Sequence, residues 1–116
     1  MLRKSGLFAI ALGCLAAPVQ AEEHYVLMVG IGYFPDYVYP AVGDTVRFVN
    51  TSDVIMTATA DDASWTTGPV NPGEAFLVTV TDGMNQTFTN GDTAIGVIDY
   101  TNPPPLDLEN NAETNH

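Results

Sequence analysis

The sequence predicts an all-β domain, an antiparallel sandwich or small barrel of about seven short strands, and three observations lead there. Runs rich in β-branched and aromatic residues recur at near-regular spacing, separated by clusters of Gly, Pro, Asn and Asp. The run Thr45 to Val49 alternates, so that Val46 and Phe48 face one way and Thr45, Arg47 and Val49 the other. No window carries a sustained helical period.

Taken in order, His24 to Val29 is the first β-rich run, and the glycines of Gly30-Ile31-Gly32 suit the turn that ends it. Tyr33 to Tyr39 follows. Pro35, with Pro40 just beyond, confines it to a sheet edge, because proline has no N–H to give to a ladder. Gly43-Asp44 turns the chain into the Thr45 to Val49 strand. Thr57 to Ala60 is a weaker strand, and Asp61-Asp62-Ala63-Ser64 is a loop leading to Trp65. Pro72-Gly73 is a turn, after which Ala75 to Val80 alternates with Phe76, Val78 and Val80 on one face. Gln86 to Thr89 is short, Asn90-Gly91-Asp92 is a strong turn signal, and Ile95 to Tyr100 closes the β pattern. From Thr101 the composition changes. Asn102-Pro103-Pro104-Pro105 cannot continue a ladder, and the acidic, Asn-rich remainder has almost nothing to bury, so residues 101–116 are expected to form a disordered tail.

The first residues read as a secretory signal. Arg3 and Lys4 are followed by an apolar run from Leu7 to Ala17, and Val19-Gln20-Ala21 is a small-residue cleavage site. The expected signal is residues 1–21, with cleavage after Ala21 and a periplasmic or secreted domain over residues 22–100. The apolar run is shorter than the roughly 20 residues a membrane-spanning helix needs. Cys14 invites a lipid anchor, but Ala11 stands where a lipobox usually has Leu, and the downstream cleavage site is better formed. Cleavage would remove the only cysteine, so neither a disulfide nor a thiolate ligand is expected in the mature chain.

The formal net charge is −11, and loss of Arg3 and Lys4 would leave Arg47 alone against the 14 acidic residues. Such a chain has no electrostatic footprint for nucleic acid, so nucleic acid is excluded as a partner. A basic protein partner fits the charge, as does simple solubility outside the cell.

The motifs assembled along the chain resemble the cupredoxins, the small blue-copper electron carriers that include plastocyanin, amicyanin and pseudoazurin. Tyr33-Phe34-Pro35, then Val38, then Gly43-Asp44-Thr45-Val46 and Phe48-Val49-Asn50 match that family's pattern, as do Thr59-Ala60-Asp61-Asp62, Trp65, Gly68 and Pro72-Gly73-Glu74 before Phe76. The resemblance runs from Tyr25 to Tyr100 and implies a cupredoxin-like Greek-key β-sandwich. It also implies where copper ligands would stand: two histidines and a thiolate in a plane, with a weak axial methionine. At the first histidine's place, six residues after Asn50, stands Met56; aligned through Gly96, the other three places hold Phe88, Gly91 and Ala94. All four are substituted and none is expected to bind copper.

Function therefore reads first as a non-enzymatic binding or interaction module that has lost its blue-copper site, with no cofactor expected. A periplasmic or secreted protein is the partner class; Met56 itself reads as core or rim packing, and Met56 and Trp65 make the contact patch if they are exposed together. An alternative is copper binding at a processed amino terminus, where the Glu22 amine, the amide nitrogens of Glu23 and His24 and the His24 imidazole would form a square plane, with help from Met28 or Met56 for Cu(I). Electron transfer, which the resemblance alone would imply, lacks ligands. No Ser-His-Asp or Cys-His set is present, and His24 and His116 both lie outside the predicted core. Asn50-Thr51-Ser52 and Asn85-Gln86-Thr87 match glycosylation sequons.

Overall fold

The computed structural model describes residues 20–106. The expected signal peptide, apart from its last two residues, and the tail beyond Leu106 lie outside the described residues. Within them Thr101 to Leu106 form no strand.

Eight strands run β1 (Glu23–Met28), β2 (Tyr33–Phe34), β3 (Tyr37–Val38), β4 (Thr45–Asn50), β5 (Thr59–Ala60), β6 (Ala75–Thr79), β7 (Thr87–Thr89) and β8 (Ile95–Ile98). They form two four-stranded sheets, in the orders β2-β1-β4-β6 and β3-β8-β7-β5. The count exceeds the expected seven because the Tyr33 to Tyr39 run divides at Pro35-Asp36. Its first half pairs antiparallel with β1 in one sheet, and its second half pairs parallel with β8 in the other. Both halves are edge strands, as the prolines require.

The sheets are mixed, where the repeat of short strands and turns predicts antiparallel pairing. The reason is topological. β2 and β3 together bring the chain back to the end at which β1 began, so β4 sets out alongside β1 and pairs with it in parallel from Glu23↔Thr45 to Met28↔Asn50. Four connections gather at the other end, which we call the crossing end. The turn at 29–32 abuts the segment at 51–58 through a Gly30 N–H that points at the Met56 sulfur. The turn at 71–74 is fastened to Asn50 by two backbone hydrogen bonds, and the turn at 90–94 follows Thr89, which lies opposite Thr59.

Alternation supplies the core. Val26 and Met28 of β1 and Val46 and Phe48 of β4 point inward from one sheet, and Val38, Ala60, Phe88 and Ile98 from the other. Val78 and Val80 are buried as expected, but Phe76, at the crossing end of edge strand β6, is exposed. Phe88 joins the sheets. Its ring centroid lies 5.2 Å from that of Phe48, 4.8 Å from Tyr33 and 5.8 Å from Trp65, and the first two contacts are edge-to-face. The ring has room because Gly96, its partner across β7 and β8, carries no side chain: a Cβ there would lie 2.2 Å from the ring tip.

Gly96→Ala should therefore destabilise the domain by about 1–3 kcal/mol through overpacking. In a Phe88→Leu background, which lacks the ring-tip atoms, the same change should cost less than half as much, read from a double-mutant cycle in urea. Equal costs in both backgrounds would show that the clash is relieved elsewhere.

Candidate functional sites at the two ends of the sandwich

Of the four positions that the resemblance assigns to copper ligands, Met56, Phe88 and Ala94 belong to one buried cluster, and Gly91 lies in the exposed turn that follows β7. Met56 is 4% exposed. Its main chain exchanges two hydrogen bonds with Val70, at 3.1 and 2.8 Å, and this pairing turns its side chain inward. Its sulfur accepts the Gly30 N–H at 3.0 Å. Phe88 is fully buried among rings, and Ala94 is buried. Gly91 sits at an exposed turn tip with φ of +87°, a left-handed conformation that glycine adopts without a Cβ penalty. The Asn90 side-chain oxygen, accepting from the N–H groups of Asp92 and Ala94, closes that turn on itself.

Asn50, fully buried at the head of the crossing, uses its whole amide. Nδ2 donates to the carbonyls of Val54 and Val70, both at 2.7 Å, and Oδ1 accepts from the Ser52 N–H and hydroxyl. A glycan cannot be attached to this amide in the folded chain, so the sequon at Asn50 is a packing motif. Tyr33 donates its hydroxyl to the Thr57 carbonyl at 2.6 Å, and burial pushes its pKa up to about 12.

Met56 and Trp65 do not form one surface. Met56 bridges Val70, whereas Trp65 lies further along the same hairpin, half-buried, with its indole N–H donated to the Asn85 carbonyl. The apolar side chains that do face outward at the crossing end are others. Ile31 is 89% and Ile55 60% exposed, with Val29 and Val54 beside them on the same two adjoining segments. Sequence reasoning missed them because a residue in a turn has no strand periodicity to say which way it points.

The opposite end carries the ionisable cluster. Asp44 is 7% exposed, in the turn ahead of β4, and its carboxylate accepts the Glu22 N–H at Oδ1 and the Ala41 N–H at Oδ2, both at 2.9 Å. His24 Nε2 lies 3.0 Å from the same Oδ2 and 4.0 Å from Glu22 Oε1. One donor atom each from Glu22, His24 and Asp44 lie within 4.8 Å of one another. Of the residues read together from the sequence, Glu22 and His24 meet here. Glu23 does not: it pairs with Arg47 on the outer face of the sheet, where the guanidinium also stands 5.9 Å from the centre of the Tyr25 ring. Asp44 is the member the sequence hides, read as part of a turn motif 20 residues away. The parallel register of β1 and β4 closes that gap.

The cluster also bears on the square-planar arrangement expected at Glu22-Glu23-His24. In this fold the Glu22 N–H is held by Asp44, the Glu22 carbonyl accepts from Thr45, and His24 is in register with Val46 in the ladder. Gathering the three main-chain nitrogens around one ion would unpair the start of β1. Met28 and Met56 are buried, and Met56 belongs to the other end.

No protein-family model matches the chain, and the search of curated proteins finds no match. Among solved structures the chain is similar to a copper-containing nitrite reductase from Thermus scotoductus SA-01, with a TM-score of 0.62 and 22% identity over 77% of this chain. The fold is cupredoxin-like. The similar region spans 24% of the nitrite reductase chain. At that identity the likeness establishes the cupredoxin-like sandwich alone.

The backbone N–H groups of Glu22 and Ala41 hold the Asp44 carboxyl below the usual carboxylate range, with His24 adding to the effect. A depressed folded-state pKa contributes stability that is complete above the ordinary carboxylate pKa of about 3.9 and is lost as pH falls through the folded value. Asp44→Ala, which leaves two amide donors without an acceptor, should cost about 1–3 kcal/mol at pH 7. The gap between wild type and variant should narrow below about pH 4 in urea unfolding. A gap that stays constant down to pH 2 would remove the carboxylate from this account.

Proposed function

We propose that the chain is an exported cupredoxin-like domain without a blue-copper site, acting as a non-enzymatic binding module. The observation that carries this reading is Phe88. A phenyl ring packed on Phe48, Tyr33 and Trp65 stands where the resemblance places the thiolate, and blue copper depends on that thiolate. The remaining three positions offer one thioether, already facing an N–H, together with a glycine and an alanine. These residues do not fit a type 1 copper. The same substitutions turn the crossing end from a polar metal site into an apolar surface, and Ile31, Val54 and Ile55 give a partner something to cover. Among the described residues no helix is long and apolar enough to cross a membrane, and Arg47 with its Glu23 partner is the only Lys or Arg. A partner of opposite charge, periplasmic or secreted, fits the remaining acidic surface.

A second reading is supported by the cluster at the Asp44 end. There the domain handles a metal ion, copper included, through side chains near its amino terminus.

Two measurements test the first reading. Protein beginning at Glu22, incubated with Cu(II) and a reductant, should show no intense thiolate-to-copper visible band; such a band would end the proposal. A photo-crosslinking side chain placed at Ile31 or Ile55 in the native host should yield a discrete adduct, and one placed at the exposed Asp82, beyond the far end of β6, should not. Adducts from Asp82 alone would move the contact surface elsewhere.

A further inference from the structure

We infer that Glu22, His24 and Asp44 form a side-chain site for a divalent transition-metal ion, at the end of the sandwich opposite the family's copper position. The inference rests on the metal-handling reading and is independent of the interaction-module reading. It differs from the amino-terminal chelate in its donors: one imidazole nitrogen and two carboxylate oxygens, with no main-chain nitrogen and no need for a free amine.

Two of the three donor separations suit an ion as they stand, and the third, Glu22 to Asp44, lies within 4.8 Å, a gap the exposed Glu22 side chain can close. Two donors each about 2.1 Å from a metal lie about 3.0 Å apart at right angles and about 4.2 Å apart when opposed. His24 Nε2 stands 3.0 Å from Asp44 Oδ2 and 4.0 Å from Glu22 Oε1, near the two ends of that range. An ion would lie between His24 Nε2 and Asp44 Oδ2 in place of their hydrogen bond, with the imidazole as the neutral tautomer that carries its proton on Nδ1. Oδ2 can keep the Ala41 N–H on one lone pair and give the other to the metal.

Support around the site follows the pattern of built metal centres, in which outer hydrogen bonds fix the ligands. Asp44 is held at both oxygens by main-chain N–H groups, and His24 is carried on a paired strand. The third ligand supplies the entrance: the Glu22 side chain is 75% exposed, against 22% for His24 and 10% for Asp44. Water can complete the shell on that side. The donor set, borderline nitrogen with hard oxygen and no sulfur, selects M(II) ions over Cu(I), and among them Cu(II) binds tightest, followed by Ni(II) and Zn(II).

The test is titration of Cu(II) and Zn(II), by calorimetry with a competing chelator, into protein beginning at Glu22 and into protein with one alanine added before Glu22. One ion per chain is expected, with Cu(II) tighter than Zn(II) and affinity unchanged by the added alanine. His24→Gln and Asp44→Asn should each weaken binding at least tenfold, with folding confirmed by circular dichroism. Glu22→Gln, at an exposed side chain that leaves the fold intact, should weaken it several-fold, and Glu23→Gln should have no effect. Cu(II) paramagnetic resonance should show coupling to one nitrogen. If the added alanine abolishes binding, Asp44→Asn leaves it intact and several nitrogens couple, the ion sits on the terminal chelate; this inference then fails while the metal-handling reading stands. If neither protein binds a stoichiometric ion, both fail.

Discussion

The contact between the Phe88 ring and the bare backbone of Gly96 sets what the rest of this sandwich can be. A sheet pair of this size must fill a core about 10 Å thick, and among the described residues there is no cysteine to link the layers. One ring does much of that filling. Phe88 rises from the second sheet over Gly96 and meets Phe48 and Tyr33, which belong to the first, with Trp65 closing the side. Burying such a side chain is worth about 1.5–3 kcal/mol, and its edge-to-face contacts add to that. A side chain at Gly96 and a ring at Phe88 exclude each other, so the two positions are one choice made on two strands.

That choice propagates to the crossing end. Once a ring occupies the space beneath it, the polar groups of the crossing segments have no buried ion to face and must satisfy one another. The Asn50 amide ties Ser52, Val54 and Val70 together, the Tyr33 hydroxyl bonds the Thr57 carbonyl, and the Met56 sulfur takes the Gly30 N–H. No buried side-chain nitrogen or oxygen among the described residues lacks a partner. A metal-binding end needs lone pairs left uncommitted, and the lone pairs here are turned inward. The Asp44 end is built the other way: its most exposed carboxylate, on Glu22, accepts no hydrogen bond from the described residues, and its Oε1 stands 4.0 Å from the His24 imidazole.

Local chemistry made much of the fold legible from the sequence. Alternation marked β4 and β1, glycine and proline marked the turns, and the prolines placed β2 and β3 at edges before any pairing was known. What was not legible is what depends on residues distant in sequence. The division of one run between two sheets at Pro35-Asp36, the parallel register of β1 and β4, and the meeting of Asp44 with His24 all follow from how the layers close. Met56 reads from its chemistry as packing and is buried, but the isolated bridge to Val70 that holds it there has no pattern of neighbours to announce it. Asn50 shows the same limit in reverse, since a three-residue motif that suggests an exposed glycan acceptor is a fully bonded interior amide.

Charge connects the two ends. Arg47 is the only Lys or Arg among the described residues, and Glu23 and the Tyr25 ring hold it on the outer sheet face, away from Asp44. The acidic groups elsewhere have no other lysine or arginine among the described residues to face. At the Asp44 end the geometry is tight enough to concentrate that charge on a point, because two carboxylates and an imidazole converge within 4.8 Å. At the crossing end the described residues make no such convergence, and the exposed groups include the apolar Ile31, Val54 and Ile55. β1 spans about 20 Å between the two ends at about 3.3 Å per residue, beyond the Debye length of about 8 Å at physiological ionic strength. An ion at one end and a partner at the other would therefore be felt independently through solvent, coupled only through the paired backbones of β1 and β4.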